Sequence, residues 1–156
     1  MKRLLLIVLP LLLIVGCSSP EPINYQETLN KRDDVYYTKD TNQPYSGPVF
    51  SLDKNGRNNR ESILEDGKMI TYKDFVWYEN GQKWEEITYK DGKKDGLETW
   101  WYIDGKKCFE GTWKDGKLDG LVTGWYENGQ KKWEYTYKDG DVISKKEWNE
   151  DGSVKE

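Results

Sequence analysis

Between Lys131 and Lys138 the side chains alternate in character. Lys131, Trp133, Tyr135 and Tyr137 fall on one side of an extended chain, and Lys132, Glu134, Thr136 and Lys138 fall on the other. A period of two with one polar side predicts a β-strand in a sheet solvated on one face. The stretch 24 residues earlier sets Phe109, Gly111 and Trp113 against Glu110, Thr112 and Lys114. The one before it sets Ile87 and Tyr89 against Glu86, Thr88 and Lys90. The intervening strands are apolar on both sides: Leu97, Thr99 and Trp101 alternate with Glu98, Trp100 and Tyr102, and Leu121, Thr123 and Trp125 with Val122, Gly124 and Tyr126.

Turn residues punctuate these strands at the same interval. Asn80-Gly81, Asp104-Gly105 and Asn128-Gly129 tolerate positive φ, and Asp91-Gly92, Asp115-Gly116 and Asp139-Gly140 make the return turns. Trp77-Tyr78 recurs as Trp101-Tyr102 and Trp125-Tyr126, and Asp95-Gly96-Leu97 recurs as Asp119-Gly120-Leu121. The expected fold is all-β: an elongated antiparallel meander of stacked β-hairpin repeats of 24 residues. Each hairpin buries its faces against its neighbours, so none is stable alone. The repeat domain is expected over residues 35–156. It comprises an irregular first copy at about 45–67, the best copies at about 75–140 and a truncated last copy at 141–156.

The N-terminus reads differently. Lys2 and Arg3 precede an apolar run, Leu4–Val15, broken only by Pro10 and too short to span a bilayer as a helix. Residues 1–16 are expected to be a signal peptide, helical and excluded from the fold. The ending Ile14-Val15-Gly16-Cys17-Ser18-Ser19 resembles the lipobox of bacterial lipoproteins. That resemblance implies cleavage before Cys17, diacylglycerol on its thiol and an acyl chain on its new amine. More than one chain gives lasting anchorage. Ser18 then implies the outer membrane in a diderm cell; in a monoderm cell the address is the outer face of the cell membrane. An ordinary signal peptide, or a disulfide from Cys17 to Cys108, is the plainer alternative. Residues 17–34, with two prolines and few large apolar side chains, are expected to be a flexible tether.

Composition narrows the chemistry. The chain has 156 residues, 24 basic and 28 acidic, for a net charge of −4, which argues against a nucleic-acid partner. With no histidine, the Ser/His/Asp and Cys/His catalytic sets and most zinc sites are absent. No cofactor and no metal is expected. Eight Trp and 11 Tyr stand against three Phe. Trp77, Trp101 and Trp125, with Tyr78, Tyr102 and Tyr126 beside them, are the candidate binding aromatics, one pair per repeat; the same regularity suits a structural spine. Glu86, Glu110 and Glu134 repeat one environment, alternate with Lys90, Lys114 and Lys138, and read as a solvated face rather than a catalytic pair. Cys108 stands where the preceding repeat has Trp84 and reads as a small packed residue, with no histidine to activate it.

Phe109-Glu110-Gly111-Thr112-Trp113-Lys114-Asp115-Gly116-Lys117-Leu118-Asp119-Gly120 resembles the MORN repeat, and Trp125-Tyr126-Glu127-Asn128-Gly129-Gln130-Lys131 resembles its bacterial, YwqK-type variant. Tyr36-Tyr37-Thr38 through Pro44-Tyr45-Ser46-Gly47 is similar to the opening segment of that group. The resemblance implies a single-layer β-meander that scaffolds or binds other molecules and has no catalytic role. Some members carry an antitoxin label, which fits an exported chain badly. Thr123-Gly124-Trp125-Tyr126 with Trp133 and Tyr135-Thr136-Tyr137 more weakly resembles choline-binding repeats. The expected function is a non-enzymatic, lipid-anchored envelope protein that offers an interaction surface to a protein partner. The alternatives are a glycan or cell-wall binding module acting through the repeated Trp and Tyr residues, a hydrolase, and an antitoxin-like protein.

Overall fold

The computed structural model of the protein describes residues 20–155. The expected signal peptide, with Cys17 and Ser18, lies outside the described residues. After β1 (Ile23–Asn24), a single helical turn α1 (Tyr25–Thr28) leads into a small hairpin, β2 (Leu29–Arg32) and β3 (Val35–Thr38). The remaining strands are β4 (Gly47–Leu52), β5 (Asn58–Glu65), β6 (Lys68–Trp77), β7 (Lys83–Lys90), β8 (Lys93–Trp101), β9 (Lys107–Lys114), β10 (Lys117–Trp125), β11 (Lys131–Lys138) and β12 (Asp141–Glu147). Strands β4 to β12 form one antiparallel meander in sequence order, and β1 adds in parallel at its first edge to complete a ten-stranded sheet. The expected meander of stacked hairpins is the observed fold.

Two kinds of turn build it. At one end of the strands the Asp-Gly pairs make two-residue turns. Asp66, Asp91, Asp115 and Asp139 have φ of 48–51°, and the glycine after each is also left-handed. Positive φ at both central residues is the type I′ hairpin, whose twist matches the strands it joins. The other end uses longer loops. In Tyr78–Gln82 only Gly81 is left-handed; the Tyr78 N–H donates to the Gln82 carbonyl at 2.8 Å, and the Gln82 N–H donates to Asn80 Oδ1 at 3.0 Å. Each such loop is followed by a register shift, at Val76/Trp77, Trp100/Trp101 and Gly124/Trp125.

Cross-strand register assigns the two faces. Ile87, Glu98, Gly111, Val122 and Tyr135 lie in one row across the sheet. Beside them run Trp100, Phe109, Gly124 and Trp133. This is the aromatic face. The opposite, ladder face carries Glu86, Thr99, Glu110, Thr123 and Glu134. The predicted division of β7, β9 and β11 into an aromatic and a Glu/Thr/Lys side is the observed one except at Lys131, expected on the aromatic side, which a register shift turns to Glu134 on the ladder face.

The flexible tether expected over residues 17–34 is corrected from Ile23 onward. Ile23 and Asn24 pair with Val49 and Phe50, and Leu29 is buried with Val49 and Leu64. Tyr25, Tyr36, Tyr45 and Met69 pack around that cluster. The β2–β3 hairpin is fastened to the sheet by the Tyr36 N–H donating to the Gly67 carbonyl and the Tyr45 N–H donating to the Tyr36 carbonyl. Its turn is Asp33-Asp34, both left-handed without a glycine, so the strongest hairpin signal was absent. The segment also holds only two large aliphatic residues, Ile23 and Leu29, too few to show periodicity.

Gly124 exists for packing rather than for turning. A Cβ there would run into the indole of Trp133, which lies across it toward Phe109, the two ring centroids 6.1 Å apart. Gly124→Ala is expected to displace that indole and lower stability by roughly 2 kcal/mol, as overpacking does; the midpoint of urea unfolding checks this.

Candidate functional site

The structure brings Trp77, Trp101 and Trp125 into one row on the ladder face, and an ammonium lies against the rings of Trp77 and Trp101. Across the register shifts Trp77 pairs with Lys83, Trp101 with Lys107 and Trp125 with Lys131. The Lys83 ammonium lies 5.9 Å from the Trp77 ring centroid, 5.3 Å from that of Trp101 and 4.9 Å from that of Phe75. Lys131 sits 5.7 Å from Trp148 in the same way. Cation–π attraction of this kind holds ring and ammonium together at partly exposed sites. Trp77 is fixed further, its Nε1–H donating to the Asn58 carbonyl at 2.8 Å.

The three tyrosines do another job. The Tyr78 hydroxyl donates to the Trp101 carbonyl at 2.8 Å, Tyr102 to Trp125 at 2.7 Å, and Tyr126 to Trp148 at 3.0 Å. Each phenol therefore reaches one repeat along and closes a carbonyl at the start of the next loop. Asn80 and Asn128 add side-chain amide bonds to the Ile103 and Glu150 carbonyls. At the opposite end the Asp95 and Asp119 carboxylates accept the Asp115 and Asp139 N–H groups of the following turns. These bonds stitch neighbouring repeats at both ends of the strands.

The glutamates of the ladder face are partnered differently from the sequence reading. Glu86, Glu110 and Glu134 pair with Lys83, Lys107 and Lys131, three residues before each. Lys138 turns away to Asp119 at 2.9 Å. Lys73 adds a second partner for Glu86 at 2.8 Å. Burial opposes ionisation of Glu86, but the hydrogen bonds and charges of Lys73 and Lys83 outweigh it and hold its carboxyl below the usual range. Between these acids Thr99 and Thr123 are buried, so the face is only half solvated.

Sequence reasoning missed two features. Leu97 and Leu121, one repeat apart, expose 49% and 51% of their surface on the ladder face, opposite Thr112 and Thr136. The recurring Asp-Gly-Leu was the available signal, since neither the turn nor the core needs that leucine. The other is Glu98 on the aromatic face, 1% exposed. Its Oε1 accepts from Lys94 at 3.0 Å and Trp100 Nε1 at 3.1 Å, and its Oε2 from Trp113 Nε1 at 2.6 Å. Lys94 also lies 4.6 Å from the Trp113 centroid. The equivalent position is Asp74 one repeat earlier, bound by Arg60, and Val122 one repeat later. Comparison of aligned copies would have flagged the acid.

Glu85 lies beside Glu98 and accepts from the same indole N–H at 3.2 Å. Burial, and then the hydrogen bond shared with Glu98, push its carboxyl above the usual range. This is a carboxylate pair, but both Glu98 oxygens are committed to three donors, which leaves neither free to exchange a proton with a substrate. Burial pushes the Cys108 thiol up, away from the reactive thiolate. No group of acidic or cysteine side chains placed to hold a metal occurs among the described residues.

Two measurements test these assignments. Tyr102→Phe removes one inter-repeat bond and is expected to cost about 1 kcal/mol in urea unfolding. The raised Glu85 carboxyl makes the folded chain hold a proton more tightly than the unfolded one. Its stabilising contribution is therefore present in acid and lost as pH rises through the raised value. Glu85→Gln should raise the urea midpoint near pH 7.5, with the gap to the unsubstituted protein closing toward about pH 4.

The family model described as MORN repeat variant matches residues 75–91 and 118–139. Both stretches contain Trp-Tyr-Glu-Asn-Gly-Gln, at 77–82 and 125–130. No curated protein and no solved structure matches the chain. Repeats of this type are non-catalytic and are associated in general with protein or membrane interaction. Over these two stretches the chain is similar to the MORN repeat variant.

Proposed function

We propose that the protein is a non-enzymatic, lipid-anchored repeat protein of the cell envelope, whose ladder face holds a protein partner. The observation that carries this reading is the exposure of Leu97 and Leu121 at one register, one repeat apart, beside a row of internally neutralised Lys–Glu pairs. Exposed aliphatic groups in a setting of paired charges suit a protein interface, with an apolar centre and a polar rim. A glycan would instead need open indole faces to stack on. The Lys83 ammonium lies against the rings of Trp77 and Trp101, which favours the protein partner over the sugar. The lipobox at Cys17 supports the anchor, and the acidic balance of the chain gives no electrostatic alternative to it on anionic lipid. With Ser18 after the anchor, the address is the outer membrane in a diderm cell and the outer face of the cell membrane in a monoderm one.

Photo-crosslinking side chains placed at positions 97 and 121 on intact cells test the surface. A discrete protein adduct is expected from each position, abolished at position 97 by Leu121→Glu and at position 121 by Leu97→Glu while the melting temperature stays unchanged. Adducts to glycan alone, with retention of the chain on purified peptidoglycan, would replace the protein reading with the glycan one. Cys17→Ala is expected to prevent acylation of the chain, read by mass spectrometry of the membrane fraction.

A further inference from the structure

The ladder face bears a trough of about 630 Å³ at its N-terminal end, within the size range of small-molecule sites. Its apolar walls are Pro22, Pro48, Phe50, Leu52 and Ile63. Ile63 leaves 43% of its surface open to it. The charged groups along it are already satisfied within the chain. Lys73 pairs with Glu86 at 2.8 Å, and Glu61 accepts from the Asn58 amide at 2.9 Å. Such a lining asks for an uncharged, apolar occupant, since a charged one would be desolvated there without a partner.

The chain itself supplies the direction. Because Ile23 and Asn24 pair with Val49 and Phe50, Pro22 is carried to the trough beside Pro48. Cys17 lies five residues before Pro22, a reach of at most about 18 Å when extended. The N-terminal segment thus ends its described course at the apolar cleft, within a short span of the one residue expected to carry lipid.

We propose that this trough receives one acyl chain of the lipid on Cys17. The inference rests on the lipid-anchor reading above. It makes the first hairpin a rest for that chain, so that the repeat domain lies close against its anchor while the remaining acyl chains hold the bilayer. Leu97 and Leu121, farther along the same face, stay open for the partner.

The test feeds cells a photoactivatable palmitate analogue, isolates the full-length protein after illumination and maps crosslinks by mass spectrometry. Acylation of Cys17 with crosslinks to the peptides carrying Phe50 or Ile63 is the expected result. Ile63→Glu should reduce those crosslinks to background, with an unchanged circular dichroism spectrum. Leu121→Glu, on the same face but distant from the trough, should leave them intact. Acylated Cys17 with crosslinks only to membrane lipid would overturn the trough assignment and leave the anchor standing. A chain without acyl groups would overturn both.

Discussion

Each hairpin of the stack can bury side chains only against its neighbours in the same sheet. Among the described residues no second layer covers the sheet beyond α1 and the β2–β3 hairpin at its N-terminal end. Among the described residues only Leu29, Val49, Leu64, Ile87 and Val122 are buried aliphatic residues, too few to hold a sheet of this length through a central core. Lateral coupling between strands has to do what a core does elsewhere. The Tyr78, Tyr102 and Tyr126 bonds, the Asp95 and Asp119 contacts and the Trp–Lys row all run across the sheet from one repeat to the next. This explains the abundance of Trp and Tyr. They combine a large apolar area with a polar tip, and a thin sheet can use both.

That constraint shapes what is left for function. Part of the aromatic surface is spent on holding the stack together, as where the Lys83 ammonium lies against both Trp77 and Trp101. Among the apolar groups left open on the ladder face are Leu97, Leu121 and the trough beside Pro22. A repeat surface of this kind presents the same group at fixed intervals, which suits recognition of an extended partner better than chemistry on a small one.

The aromatic face shows how one repeat can depart from its neighbours. Where Val122 fills its slot with hydrocarbon, Glu98 fills the same slot with a carboxylate and recruits Lys94, Trp100 and Trp113 to satisfy it. A buried charge of this sort is seldom a gain in stability over an apolar residue. It fixes the rotamers of two tryptophans, and it brings Glu85 under its influence.

The sequence by itself determined the class of fold, the strand boundaries of the regular repeats and the positions of the turns. Those are properties of local pattern: period-two alternation, Asp-Gly at the hairpin ends and a fixed spacing between copies. It also placed Trp133 to Lys138 on the right faces, because alternation alone sets the face, but it set Lys131 with the aromatic side, which the structure corrects. Only the tertiary structure decided which groups meet across strands. The partner of Glu134 is Lys131 rather than Lys138 because a register shift after the Tyr126–Gln130 loop turns Lys131 toward the ladder face. The segment from Ile23 to Asp34 joined the fold through buried Leu29, the pairing of Ile23 and Asn24 with Val49 and Phe50, and the pairing of Leu29–Arg32 with Val35–Thr38. Contacts between residues far apart in the chain leave no periodic trace along it, so they become visible only when the strands are laid side by side.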